Sequence, residues 1–385
     1  MDVLNLLFVN LREAITTWLA GFLPLWAAGL VVHFGVGLIL LFIGLGSVLV
    51  LTLGERKVIG RFQDRLGPNR WGPWGILTPV ADGIKMLTKE DIVPQGADYW
   101  VHLLAPICII IPAVLIYAVL PFGEGAWGAD LNIGILYIVA IASLGTIAVL
   151  MAGWSSNNKY SLLGAFRVVA QLISYEIPML LSIVAVVLLT GSMSMVEIVR
   201  QQSVPYLITM PLVFFVYLLA SFAELYRAPF DMIEADSELV AGYFTEYSGM
   251  KFVMFFMAEY INLFAMSAVI TTLFLAGWRG PILPGYVWFF VKCAAVIFLF
   301  WWVRSMIPRI RIDHLLNLAW KFLVPLALVN LMAVGLVDKL IADGLVQSFV
   351  LLVANIAIAA VVIGLLAFVS RKSRSRRLQR ITARR

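Results

Sequence analysis

Two cysteines and three histidines are all that a chain of 385 residues offers to a soft or borderline metal ion. Cys108 and Cys293 lie in separate apolar runs, without CxxC spacing or a neighbouring histidine. That excludes an iron–sulfur cluster or zinc centre built by this chain alone. His33, His102 and His314 do not pair within apolar runs as a transmembrane haem needs. No cofactor is expected on the chain, so any redox chemistry belongs to a partner or a diffusible ligand. Charge is scarce as well: 13% of the residues are charged and 62% hydrophobic, with a mean hydropathy of +0.97. Such a composition excludes a soluble globular domain. The formal charge of +6 is no footprint for nucleic acid. Residues 371–385 hold eight Lys and Arg and no acid, leaving 20 bases against 22 acids before them. The first residues lack a basic n-region, so no cleaved signal peptide is expected.

What the chain does have is long apolar runs, each matched to a hydrocarbon core about 30 Å thick. Nine are expected to span, near 28–53, 99–120, 131–153, 167–190, 206–225, 251–276, 286–303, 319–337 and 346–369. The expected fold is all-α, a polytopic membrane helix bundle of about nine transmembrane helices. Residues 1–370 read as a single membrane domain and 371–385 as a basic, disordered tail that anchors to anionic lipid or a partner surface. Residues 1–27 read as an interfacial helix. The segment 54–98 is too polar to span and holds an amphipathic stretch, with Val80, Ile84 and Leu87 on one face and Asp82, Lys85 and Lys89 on the other. Of the 28 Lys and Arg, 23 fall in the odd-numbered loops and the C-terminal tail. The positive-inside rule then puts the N-terminus outside and the C-terminus in the cytoplasm, which requires an odd number of crossings.

Against that background the polar residues stand out. An ionised side chain at mid-bilayer costs roughly 2.5–3.5 kcal/mol, so such groups face a cavity, a partner or a proton path. Glu176, Glu224 and Glu259 lie in or at the ends of the expected spans. One such residue reads equally well as a structural carboxylate bonded to a neighbouring helix; three on consecutive stretches favour a proton path. Pro178, two residues after Glu176, leaves the Ser174 carbonyl without its usual donor. Between Glu224 and Glu259 runs RAPFDMIEADSELVAGYFTEY, where Asp231, Glu234 and Glu238 share a helical face and repel one another unless cations or water intervene. Arg56, Lys57, Arg61 and Arg65 recur at helical spacing in the first loop and are expected to face these acids; the alternative is that they anchor the helix end at headgroups. GPNRWGPWG (67–75) reads as an interfacial turn with aromatic anchors, since it lacks the Walker spacing of a phosphate loop. Arg304, Arg309 and Arg311 read as a cytoplasmic helix-end cluster.

Four stretches carry a resemblance: GERKVIGRFQDRLGPNRWGPWGILTPVADGIKMLTKEDIVP (54–94), RVVAQLISYEIPMLLS (167–182), AELYRAPFDMIEADSELVAGYFTEYSGMKFVMFFMAEYIN (223–262) and VRSMIPRIRIDHLLNLAWKFLVPLAL (303–328). Together they closely resemble the H-subunit family of NADH-quinone oxidoreductase, the counterpart of mitochondrial NADH dehydrogenase subunit 1. The resemblance covers most of residues 28–340. It implies a non-redox membrane subunit of respiratory complex I in the cell membrane, which forms a quinone chamber with peripheral-arm subunits and adjoins other membrane subunits. FMN and iron–sulfur clusters would then sit in partners. Carried over by motif, Glu55, Arg56, Arg61, Asp82, Lys85 and Arg227 would serve quinone binding. Glu176, Glu224 and Glu259 would form the proton path, and Asp231, Glu234, Asp236 and Glu238 the loop coupling the two. Departures are Ile310, Ile312 and His314, where the family commonly reads RYRYDQ, and Phe244, where histidine is usual. The alternatives are the homologous subunit of a membrane-bound hydrogenase or ferredoxin-fed complex, or an autonomous ion-coupled transporter.

Overall fold

The computed structural model describes residues 7–232, 241–281, 283–341 and 344–382, with the side chains of Leu7 and of 365–382 left aside. Glu234, Asp236 and Glu238 therefore lie outside the described residues. Fourteen α-helices carry the described chain, and its only β pairing is an isolated bridge between Gly123 and Ala126. A short helix α1 (Leu7–Ala20) precedes α2 (Leu25–Phe62). With 38 residues, α2 is about 57 Å long at 1.5 Å per residue, so its charged end, Glu55 to Arg61, projects beyond the hydrocarbon core.

Next comes α3 (Thr78–Thr88), the expected amphipathic helix. Val80, Ile84 and Leu87 are exposed on it, while Asp82 and Lys85 turn toward a cleft in the bundle. Then follow α4 (Tyr99–Leu115), α5 (Gly134–Ser155), α6 (Lys159–Thr190), α7 (Met195–Gln201), α8 (Tyr206–Thr209) and α9 (Pro211–Glu224). The last five are α10 (Gly249–Phe274), α11 (Gly285–Met306), α12 (Ile312–Leu318), α13 (Val324–Leu340) and α14 (Leu345–Thr382). A π turn over Ala319–Leu323 joins α12 to α13.

Among the described residues, eight helical segments are long and apolar enough to cross a membrane. They correspond to eight of the nine expected runs. The remaining run, 206–225, is helical but broken at Met210, whose φ of −131° and ψ of 61° are not helical. Pro211 causes this, because it has no N–H to donate and disfavours the α conformation in the residue before it. Only the 14 residues of α9 continue from there. The backbone of the last helix continues to Thr382. No proline or glycine follows Gly364 to stop it.

Two helices organise the core. α6 packs against α5, α9 and α13, and α10 against α2, α4 and α11. In α10 the most apolar window is 67% buried, against 17% in α2 and α14, so α10 is central and those two form the rim. Asn158 caps α6 by accepting from the Tyr160 N–H, and Gly191, in the left-handed region at φ 63°, ends it.

Candidate functional site

The end of α2, the residues after α9, and the facing ends of α10 and α11 meet in a buried ionic cluster. Glu55, only 3% exposed, accepts from Arg227 Nη1 through both carboxylate oxygens, at 2.8 and 3.0 Å. Arg304 donates to the same carboxylate. On its other side Arg227 Nε lies 3.2 Å from Glu259 Oε1, close enough for charge attraction but not aligned as a hydrogen bond. The guanidinium also sits over the Tyr260 ring, 4.9 Å from its centroid. Burial opposes the charge on Arg227, but the carboxylates of Glu259 and Glu55 outweigh it and raise its pKa. Two guanidiniums therefore face two carboxylates, and Arg227 stands between Glu55 and Glu259 as a shared partner.

A cleft of about 630 Å³ opens beside the cluster, between the end of α2, α3 and the first turns of α10. That volume suits a small organic ligand. Its walls are mostly apolar, with Leu49, Leu87 and Met250 exposed at the outside of the bundle and Tyr260 inside. Arg56, Asp82 and Lys85 supply the charge: Arg56 lies 2.7 Å and Lys85 3.2 Å from the Asp82 carboxylate. Burial raises the Asp82 pKa, but hydrogen bonds and positive charge from Arg56 and Lys85 outweigh it and hold the pKa below its ordinary 3.8.

On the far side of Phe244 and Phe256, whose rings line both spaces, is a cavity of about 40 Å³. Glu224, Glu259, Tyr226, Tyr243 and Asn262 line it. It has room for about three waters, and one oxygen of Glu224 is buried there without a protein partner. A buried orphan acceptor beside such a space is met by water. Burial, first of all, raises the pKa of Tyr226 and Tyr243, and nearby Glu259 adds to it; both phenols stay neutral and can only exchange hydrogen bonds. Glu176, half-buried on α6, lies within electrostatic range of Glu224.

The segment after α9 is docked rather than solvated. Gln171 on α6 donates to the carbonyls of Ala223 and Phe230 at 2.6 and 2.8 Å. Ser161 donates to the Tyr243 carbonyl at 2.8 Å and Asn158 to Glu246 at 2.6 Å. A side chain at Gly164 would come within 2.9 Å of the Gly242 backbone, which is why the loop can lie so close to α6.

Of the residues singled out in the sequence, Arg56, Asp82 and Lys85 line the cleft, while Glu55 and Arg227 form the ionic cluster beside it. Arg61 is exposed at the end of α2 and is not on the cleft wall. Glu224 and Glu259 share the small cavity, with Glu176 nearby. Asp231 is half-buried and within electrostatic range of Glu259. One link between the end of the first span and the acidic segment is formed by the acid Glu55 and the cation Arg227; the expected facing of the first-loop cations toward Glu234 and Glu238 lies outside the described residues. Arg304, read as a helix-end cation, proves to be a partner of Glu55, and Tyr260 and Phe256 were not foreseen. The family stretch carried Arg304, but sequence spacing cannot pair residues 249 positions apart.

The family model described as NADH dehydrogenase matches residues 36–335. The H subunit of NADH-quinone oxidoreductase from Dehalococcoides mccartyi strain 195 is 52% identical over 88% of this chain and 95% of its own length. The same subunit of Syntrophotalea carbinolica is 51% identical over 77% of this chain and 95% of its own, and that of Bacillus cytotoxicus 48% over 80% and 95%. On the strength of that model and these identities, the chain belongs to the NADH dehydrogenase family, among the H subunits of NADH-quinone oxidoreductase.

Proposed function

We propose that this chain is the membrane subunit of a proton-pumping NADH:quinone oxidoreductase in which quinone reduction is linked to proton movement. The cleft between α2, α3 and α10 admits quinone, with peripheral-arm subunits completing the chamber and their FMN and iron–sulfur clusters delivering the electrons. Reduction of a quinone to a quinol takes up two electrons and two protons, so negative charge developing in the chamber acts on nearby cations. Arg227 is the residue placed to respond, because it is shared by Glu55 on the cleft side and Glu259 on the cavity side. A stronger pull toward Glu55 loosens Arg227 from Glu259 and favours proton uptake there. Glu224 and Glu176 carry the proton onward, with neutral Tyr226 and Tyr243 and cavity water as hydrogen-bond partners. Arg61, Glu234, Asp236 and Glu238 keep their roles at the chamber rim and in the coupling loop as part of the same proposal. The N-terminus is assigned to the outer face and the C-terminus to the cytoplasm on the distribution of basic residues.

The observation that carries this reading is the shared Arg227, which joins the cleft to the carboxylate cavity within one ionic cluster. The relatives named above are all NADH-quinone oxidoreductase subunits, which favours this reading over a hydrogenase subunit or an autonomous transporter. The test is Glu259→Gln in the assembled complex, a change that keeps size and removes titration. NADH oxidation by an artificial acceptor that bypasses quinone should persist, while quinone-coupled turnover and pumping fall at least about a hundredfold, the low end for loss of a positioned proton-transfer group. Pumping at the wild-type ratio and rate would make Glu259 a structural carboxylate. Glu176→Gln and Glu224→Gln extend the test along the path.

A further inference from the structure

A second cleft, of about 450 Å³, lies remote from the site above, between α1, the first half of α2, the loop at 122–127 and the start of α11. Its wall is almost wholly aliphatic and aromatic, and among the described residues Arg12 is the one charged side chain that lines it. Separate elements meet in close contact at the cleft. Phe8 on α1 meets Tyr286 on α11 edge to face at 5.8 Å. Gly125, at φ 77°, lies so near that a Cβ there would be 2.0 Å from a Val9 methyl.

Arg12 is held in position by a histidine of fixed tautomer. His33 Nδ1 lies 2.6 Å from the Gly29 carbonyl and so carries the hydrogen, leaving the Nε2 lone pair to accept from Arg12 Nη2 at 2.9 Å. A guanidinium has five N–H donors, and among the described residues His33 is its one hydrogen-bond partner. The rest of that donor fork stands at an apolar cleft in a membrane protein.

We propose that this cleft binds one anionic phospholipid, with an acyl chain between α1 and α2 and its phosphate on Arg12. The chemistry fits on both counts. Aliphatic walls suit an acyl chain, and the planar guanidinium fork matches phosphate oxygens in pairs, which a neutral quinone ring does not offer. Among the described residues no carboxylate lines the cleft to receive an ammonium headgroup, so a lipid with net negative charge is selected over a zwitterionic one. This inference rests on the membrane fold and not on the quinone reading, so either can fail without the other.

The test uses the assembled complex in nanodiscs doped with phosphatidylglycerol or phosphatidylcholine carrying the same diazirine in an acyl chain. After irradiation, cross-linked peptides are mapped by mass spectrometry. Phosphatidylglycerol should label Leu11–Leu19 and Val31–Ile43 about tenfold more than phosphatidylcholine, the lower end of the effect of a charge-assisted hydrogen bond. Labelling of the exposed face of α5 should not discriminate. Arg12→Gln should abolish the preference. Gly35→Leu should abolish labelling of the cleft by both lipids, since Gly35 lines it and has nothing within 4 Å of a new Cβ. In the wild-type complex, excess unlabelled phosphatidylglycerol should compete the signal away, which tests the site even if a variant does not assemble. Equal labelling by the two lipids, a preference that survives Arg12→Gln, no competition, or preferential labelling by a photoreactive quinone would each overturn the proposal.

Discussion

Glu55 shows how much one carboxylate carries in this molecule. It is buried and receives both Arg227 and Arg304, so removing its charge takes away the carboxylate that the two guanidiniums share. Breaking a buried pair by deleting one partner costs roughly 3–5 kcal/mol. Glu55→Gln should therefore lower the thermal stability of the complex and the yield of assembled protein by an amount of that order. Arg61→Gln, at an exposed position, should change stability by less than about 0.5 kcal/mol; equal effects of the two changes would deny the cluster its structural weight. Asp82 gives a pH prediction. Its pKa is depressed below 3.8, so the interaction is fully present above the unfolded value and is lost only as pH falls through the lower, folded one. Asp82→Asn should raise the KM for quinone by a constant factor from about pH 5 to 8, a range that lies wholly above both values. A factor that shrank toward the acid end of that range would show Asp82 titrating where the Arg56 and Lys85 contacts forbid it.

At the scale of elements, the sequence is most legible where a single helix suffices to explain a pattern. Eight of nine expected runs are long helices, and the polar face of α3 is where Asp82 and Lys85 place it. The ninth run reads as whole because its hydrophobicity is continuous, whereas Pro211 acts on backbone geometry that hydrophobicity does not record. Tertiary pairing is the least legible. Glu55 and Arg227 are 172 positions apart, and without the family resemblance nothing in local spacing joins them. Docking of the post-α9 segment is illegible for the same reason, since Gly164 reads as an ordinary small residue until Gly242 is seen against it. Gly164→Ala should push the 241–248 segment off α6 and cost about 1–3 kcal/mol. Hydrogen exchange at 241–248 should speed up, and coupled turnover should fall while the bypass reaction persists. Gly46→Ala, with open space at its Cβ, is the control and should be silent in both assays; an equally silent Gly164→Ala would mean that the close approach has no consequence.

For the whole molecule, the polar contacts define one end of the bundle. Glu55 with Arg227 and Arg304 joins the ends of α2, α9 and α11, and Asn158 with Glu246 joins the α5–α6 turn to the segment before α10. The first, third, fifth and seventh loops thus meet at the same end, as alternate loops must if the short α9, with α8 before it, makes a crossing. Contacts alone bring those loops together, and with the tail and the span ends beside them they hold 23 of the 28 basic residues. Under the orientation proposed above from the positive-inside rule, that end is the cytoplasmic one. Single cysteines decide the matter in intact cells treated with a membrane-impermeant maleimide. Glu124→Cys, exposed in the loop between α4 and α5, should be labelled from outside, and Ser375→Cys, in the basic tail, only after the cells are permeabilised. The unmodified chain is the background control, because Cys293 is buried and Cys108 half-buried. Labelling of Ser375→Cys from outside with protection of Glu124→Cys would invert the molecule, moving the cleft proposed for quinone to the outer face and away from any cytoplasmic source of NADH. Labelling of both from the same side would mean an even number of crossings, and the α8–α9 segment would then be re-entrant rather than spanning.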